Sequence, residues 1–138
     1  MVPRQGSYFP DLVFIKTSNV ASGKVEVHIA SGASNYRTRT LEVGTTFDPE
    51  TDGTWLMAQF DSGDVPDLVF IKTRNTSTGK VEVHIASGAS NYQTRILEVG
   101  TAFDPETDGT WLIVDRNLTF IKTSNTGTGK VEVHVAQA

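Results

Sequence analysis

Three histidines, His28, His84 and His134, each follow a glutamate by two residues, Glu26, Glu82 and Glu132, in a run that alternates strictly. Alternation places each Glu-His pair on one face of an extended strand, while Val25, Val27 and Ile29 point the other way. Such a face can act as a metal pair, an acid/base pair, a polar patch for sugar hydroxyls, or simply a cross-strand polar pair. A metal would need a third convergent ligand and an outer shell that orients it. The sequence shows neither.

Trp55 and Trp111 each follow the same acidic turn, Asp-Pro-Glu-Thr-Asp-Gly-Thr, which contains Asp52 and Gly53 in one case and Asp108 and Gly109 in the other. Asn35-Tyr36 and Asn91-Tyr92 recur in the same way. An aromatic ring stacks on the apolar face of a pyranose, and Asp, Asn and His groups hydrogen-bond its hydroxyls. A site built for hydroxyls discriminates well because an unmet buried polar group costs free energy. The candidate sugar contacts are therefore His28, Asn35, Tyr36, Asp52, Gly53 and Trp55 and their copies His84, Asn91, Tyr92, Asp108, Gly109 and Trp111. A Trp that occurs once per repeat also suits a core position. Arg39 and Arg95 can hold an anionic sugar group or pair with a cross-strand glutamate such as Glu42.

Asp61, Asp64 and Asp67 offer three carboxylates within seven residues, and Gly63 permits a tight turn. Calcium takes six or more oxygen ligands, so these three are the candidate metal residues. The alternative is that Asp61 or Asp67 caps backbone amides.

What positions these residues is a repeat. Residues 11–59 align with residues 67–115, and only 10 of the 49 positions differ. A third copy begins at Leu118. Repeat 1 spans about 11–66, repeat 2 about 67–117 and a partial repeat 3 about 118–138, together forming a single repeat domain. Each full repeat has four runs rich in Val, Ile, Thr and aromatics: 12–16, 24–30, 38–43 and 54–58 in the first. Ser22-Gly23, Thr78-Gly79 and Thr128-Gly129 supply turns that require positive φ. The expected fold is all-β, with tandem four-stranded antiparallel units resembling propeller blades. Propellers usually need four to eight blades, so oligomerisation, such as two chains sharing a ring, is expected to close it. The rival is a monomeric β-trefoil.

The run from Phe60 to Leu68, FDSGDVPDL, resembles the acidic loop of FG-GAP/VCBS-type repeats, with Trp55 and Val69-Phe70-Ile71 in the flanking strands. The wider pattern DLVFIKT, GKVEVHIASG and SNY is similar to repeat modules of secreted microbial proteins and fungal lectins of that group. The resemblance implies a propeller, sugar binding and, in some members, calcium in the acidic loops. Gln59 stands where those repeats carry a carboxylate, and the full loop occurs once.

Composition narrows the partners. The net charge is -4 and the 12 Lys and Arg are dispersed, which argues against nucleic acid. No run of about 18 apolar residues exists to insert in a membrane. The absence of cysteine removes disulfides and thiolate chemistry. Met1 to Gly6 carries no apolar stretch, so no classical signal peptide is expected, and the chain is expected to be cytoplasmic or non-classically secreted. Duplication copies binding sites more readily than a composite active site, so enzyme activity is not expected. The expected function is multivalent lectin activity towards mannose-, GlcNAc- or galactose-type glycans, by a homo-oligomer without a required cofactor. The alternative is a structural or protein-interaction repeat, or a calcium-stabilised adhesion fragment.

Overall fold

The computed structural model describes residues 9–137, so the N-terminal segment behind the leader expectation lies outside the described residues. The fold is all-β, and the described residues form ten strands: β1 (Leu12–Lys16), β2 (Glu26–Ala30), β3 (Arg39–Gly44), β4 (Gly53–Ala58), β5 (Asp67–Lys72), β6 (Glu82–Ala86), β7 (Arg95–Gly100), β8 (Gly109–Val114), β9 (Asn117–Lys122) and β10 (Glu132–Ala136). Two 3-10 turns, Gly32–Ser34 and Gly88–Ser90, are the only helical pieces among the described residues. The strands form three antiparallel sheets in the orders β1-β2-β3, β4-β5-β6-β7 and β8-β9-β10. No closed barrel forms among the described residues.

The strand runs follow from alternation of β-branched residues, and the turns from glycine. Gly23, Gly79 and Gly129 have φ of 76°, 77° and 78°, which a side chain would strain. The sheets are out of phase with the sequence repeat by one strand. The Trp strand of each full repeat pairs with the first strand of the next repeat, β4 with β5 and β8 with β9. Eight residues connect β4 to β5. Only Asp115 and Arg116 connect β8 to β9, with φ of 49° and 71°, the twisted two-residue turn that matches strand twist.

Two compact units are present, Met1–Glu50 and Thr51–Ala138. In the first, the β1-β2-β3 sheet is extended at its end by hydrogen bonds from Val25 N to Phe47 O and from Thr45 N to Val25 O. Val25, Val27 and Phe47 are buried there. In the second unit, Val69, Ile71, Val81, Val83 and Ile85 of the four-stranded sheet cluster with Trp111, Leu118 and Phe120 of the three-stranded one. Leu56, Phe60, Phe103 and Ile113 pack around this core. Trp111 stacks on Phe120 at 4.2 Å and meets the edge of Phe103 at 5.2 Å.

Truncating Trp111 removes the ring that both Phe103 and Phe120 pack against. Trp111→Ala is expected to cost about 3–5 kcal/mol in urea unfolding. Ile96→Ala, at a side chain 42% exposed, should cost less than about 1 kcal/mol. Equal losses would contradict this core.

Candidate functional site

One row of side chains crosses each sheet on a single face. In the four-stranded sheet it runs Trp55, Phe70, His84, Glu98, each opposite the next across the ladder. The first sheet carries Phe14, His28, Glu42, and the last carries Trp111, Phe120, His134. Trp55 stacks on Phe70 at 4.1 Å, and Phe70 meets His84 edge-on at 6.3 Å. The Phe-His contact recurs in the other sheets at 6.0 and 6.3 Å.

Each histidine binds the glutamate two residues before it. His28, His84 and His134 place Nε2 2.9 Å from Oε1 of Glu26, Glu82 and Glu132. The other oxygen of each glutamate accepts the amide of the preceding loop, from Ser22, Thr78 or Thr128, at 2.9–3.0 Å. Thr78 Oγ1 also donates to Glu82. The hydrogen bond from His28, then the Ser22 amide, holds Glu26 down at about 2. Burial alone would raise Glu82, but His84 and the Thr78 amide and hydroxyl outweigh it and bring the carboxyl to about 2. His134 and Thr128 do the same for Glu132.

A second carboxylate faces the histidine from the neighbouring strand. His84 Nδ1 lies 3.6 Å from Glu98 Oε1, and Glu98 also pairs with Arg95 at 3.1 Å. Glu42 is the cross-strand neighbour of His28, and Arg39 binds it at 2.6 Å along the same strand rather than across the ladder. This Glu-His-Glu arrangement lines two shallow clefts. One, about 400 Å³, is bounded by Ser22, Glu26, His28, Glu42 and Gly44. The other, about 110 Å³, is bounded by Ser77, Thr78, Glu82, His84, Glu98 and Gly100. Both offer acceptor oxygens and an imidazole edge to a small polar molecule.

The other candidate residues do not join these clefts. Within the four-stranded sheet, Gly53 opposes Lys72 and Glu82 opposes Gly100 at one end, while Ala58 opposes Asp67 and Ala86 opposes Arg95 at the other. Asp52 and Gly53 therefore lie towards the cleft end, and Asn91, Tyr92 and the acidic loop lie at the far end. Gly53 and Gly109 serve packing: a Cβ there would collide with the carbonyls of Ile71 and Ile121. Asp52 O accepts Thr73 and Arg74 amides, and Asp108 O accepts Thr123 and Ser124 amides. Trp111 is buried in the core, its Nε1 donating to Glu106 O at 3.0 Å. Trp55 is half-buried against Phe70.

The Asn-Tyr pairs are backbone devices. Asn35, Tyr36, Asn91 and Tyr92 all have φ between 56° and 65°. The amides of Tyr36 and Tyr92 return to the carbonyls of Ser31 and Ser87 at 2.8 Å. Tyr92 is fully buried, and its hydroxyl donates to Pro66 O at 2.9 Å. Burial, with the Asp67 charge nearby, pushes its phenol up to about 12. Of the two paired tyrosines, Tyr36 is the one with an open ring, 47% exposed.

The acidic loop does not fit calcium. Asp67 is fully buried, with Oδ2 accepting the amides of Phe60 and Asp61 at 2.8 and 3.0 Å and Oδ1 accepting that of Gly88 at 2.8 Å. Asp61 accepts Gly63 N and the Ser87 hydroxyl. Donors therefore point at the oxygens a cation would need, and Asp64 is exposed. No group of three or more acidic or histidine side chains suited to a metal occurs among the described residues. Number and spacing alone leave calcium binding and the capping of backbone amides as alternatives for these carboxylates, and the amide bonds to Asp67 and Asp61 favour capping. The capping signal was the Gly88 turn, distant in sequence.

Comparison with models of protein families, with curated proteins and with solved structures gives no match.

Two outcomes follow from this wiring. Asp67→Ala strands three amides and should lose about 3 kcal/mol or more, whereas EDTA and added calcium should leave the unfolding curve unmoved. A calcium-dependent rise in melting temperature would reverse the capping assignment. Folding lowers the pKa of Glu26, Glu82 and Glu132 from 4.5 to about 2, so between these values the unfolded chain binds more protons. Their stabilisation is whole above about pH 4.5 and lost as pH falls towards 2. Glu82→Gln should thus melt below the wild type at pH 7, with the gap narrowing through that window. A gap independent of pH would refute the pairing.

Proposed function

We propose that the chain is a carbohydrate-binding repeat protein whose equivalent clefts hold hydroxyl-rich ligands and make or break no bond in them. The observation that carries this reading is recurrence. The same Glu-His-Glu arrangement, with Ser or Thr on its rim, lines a cleft in both of the first two sheets. Glu42 and Glu98 are each 48% exposed at the side chain, so they keep acceptor capacity for sugar hydroxyls beyond their arginine partners. A shallow site of this kind binds at about millimolar levels, worth roughly 4 kcal/mol. Several sites on one glycan surface raise avidity by about 10² to 10⁴ without new contacts.

The architecture we read as propeller blades. A four-stranded antiparallel meander in sequence order, β4-β5-β6-β7, supports that reading, as does the FG-GAP/VCBS resemblance across residues 55–71. Three separate sheets without a barrel favour it over a trefoil. A protein-interaction repeat is the second reading, favoured by the bare apolar side chains Leu12, Phe14, Val133 and Val135.

Glycan-array binding followed by calorimetric titration tests the first reading. Glu42→Gln combined with Glu98→Gln should weaken binding at least about tenfold while the protein stays folded, and Tyr36→Ala should leave it unchanged. Folded protein that binds no saccharide on the array would end the proposal.

A further inference from the structure

Each sheet has two unlike faces, and the second unit shows how they fit. The aliphatic face of the four-stranded sheet, Val69, Ile71, Val83 and Ile85, covers the aromatic face of the last sheet, Trp111, Leu118 and Phe120. The burial is close to complete: Val83 and Ile85 are 6% and 1% exposed, Leu118 and Phe120 4% and 0%.

The same two surfaces recur uncovered. On the last sheet, Val133 and Val135 occupy the positions of Val83 and Ile85 but are 65% and 55% exposed. Val131, in the position of buried Val81, is 62% exposed, and Val114 extends the patch. On the first sheet, Leu12 and Phe14 occupy the positions of Leu118 and Phe120 but are 59% and 57% exposed. Exposed apolar patches of this kind mark interaction surfaces, because water contact with them is unfavourable.

We propose that the valine face of the last sheet docks on the Leu12-Phe14 face of the first sheet of a second copy of this chain, continuing the sheet-on-sheet packing already present between β4-β5-β6-β7 and β8-β9-β10. The occupant is specified by shape and chemistry, since each bare face carries the residues, or near equivalents, whose counterparts already pack together in the second unit. The two faces differ, so the contact is heterologous: every copy offers one of each, and association runs head to tail until it closes into a ring. Polar neighbours are compatible with this. In the covered example Lys122 on the aromatic face pairs with Glu106 at 2.9 Å, at the position that Lys16 occupies in the first sheet. The contact does not depend on saccharide binding.

Light scattering and sedimentation over a wide dilution series test the proposal. The full chain should weigh at least twice its 15.0 kDa mass at high concentration. Val133→Glu with Val135→Glu blocks one face, and Leu12→Glu with Phe14→Glu blocks the other; each variant alone should be monomeric with unchanged circular dichroism. Mixed, they should form pairs of twice the chain mass and nothing larger, because each retains one working face. Val133→Ser with Val135→Ser provides a milder form of the first block should the charged one unfold. A full chain that is monomeric at all concentrations, blocked variants that keep the parent mass, or a mixture that stays monomeric would each overturn the proposal.

Discussion

The structure depends on one constraint: each sheet carries apolar side chains on both faces, and the faces are chemically different. Period-two alternation assigns Val and Ile to one side and the Trp-Phe-His row to the other. A single sheet of three or four strands cannot bury either side by itself. In the second unit stability therefore comes from stacking the aliphatic face of β4-β5-β6-β7 on the aromatic face of β8-β9-β10, as Val83 and Ile85 do with Trp111 and Phe120. Burying side chains of this size contributes about 1.5–3 kcal/mol each. An aromatic stack such as Trp111 on Phe120 adds about 0.5–1.5 kcal/mol beyond its area. Repetition is thus a requirement of the packing before it is an opportunity for binding.

The polar residues serve the same ladder. Glu26, Glu82 and Glu132 each hold a loop amide with one oxygen and a histidine with the other, fixing the turn that starts β2, β6 or β10 and orienting the imidazole together. The clefts arise where the cross-strand glutamate adds a further acceptor. Their chemistry is consequently inseparable from the hairpin's stability, and the same substitutions touch both. Glu42 and Glu98 are the exceptions, being exposed and tied to the fold only through Arg39 or Arg95 and the histidine.

Much of this was legible in the sequence. Alternation around Glu26 and His28 placed them on one face with the valines opposed, and the strand runs fall within two residues of the observed bounds. Glycines at 23, 79 and 129 marked the turns. The phase of the sheets was not legible, because a repeat of four strands can be cut at any of its connections and sequence identity is blind to which strand pairs with which. Nor was the role of Tyr92, while for Asp67 the sequence offered amide capping only as the alternative to calcium and did not show which amides it would hold. Both sit in polar, glycine-rich stretches that read as exposed loops, yet each reaches across sequence, Tyr92 to Pro66 and Asp67 to Gly88, to lock the two loops together. Such reciprocal burial has no local signature.

The connection between the Trp strand and its partner takes two lengths without altering the alignment. Trp55 opposes Phe70 across an eight-residue link, and Trp111 opposes Phe120 across a two-residue one. Loop closure entropy grows only slowly with length, so the difference costs little. Pairing information resides in the stacked rings and not in the linker. That makes this corner the place where the scaffold can accept foreign sequence, and where lineages built from such units would gain new surface without renegotiating their cores.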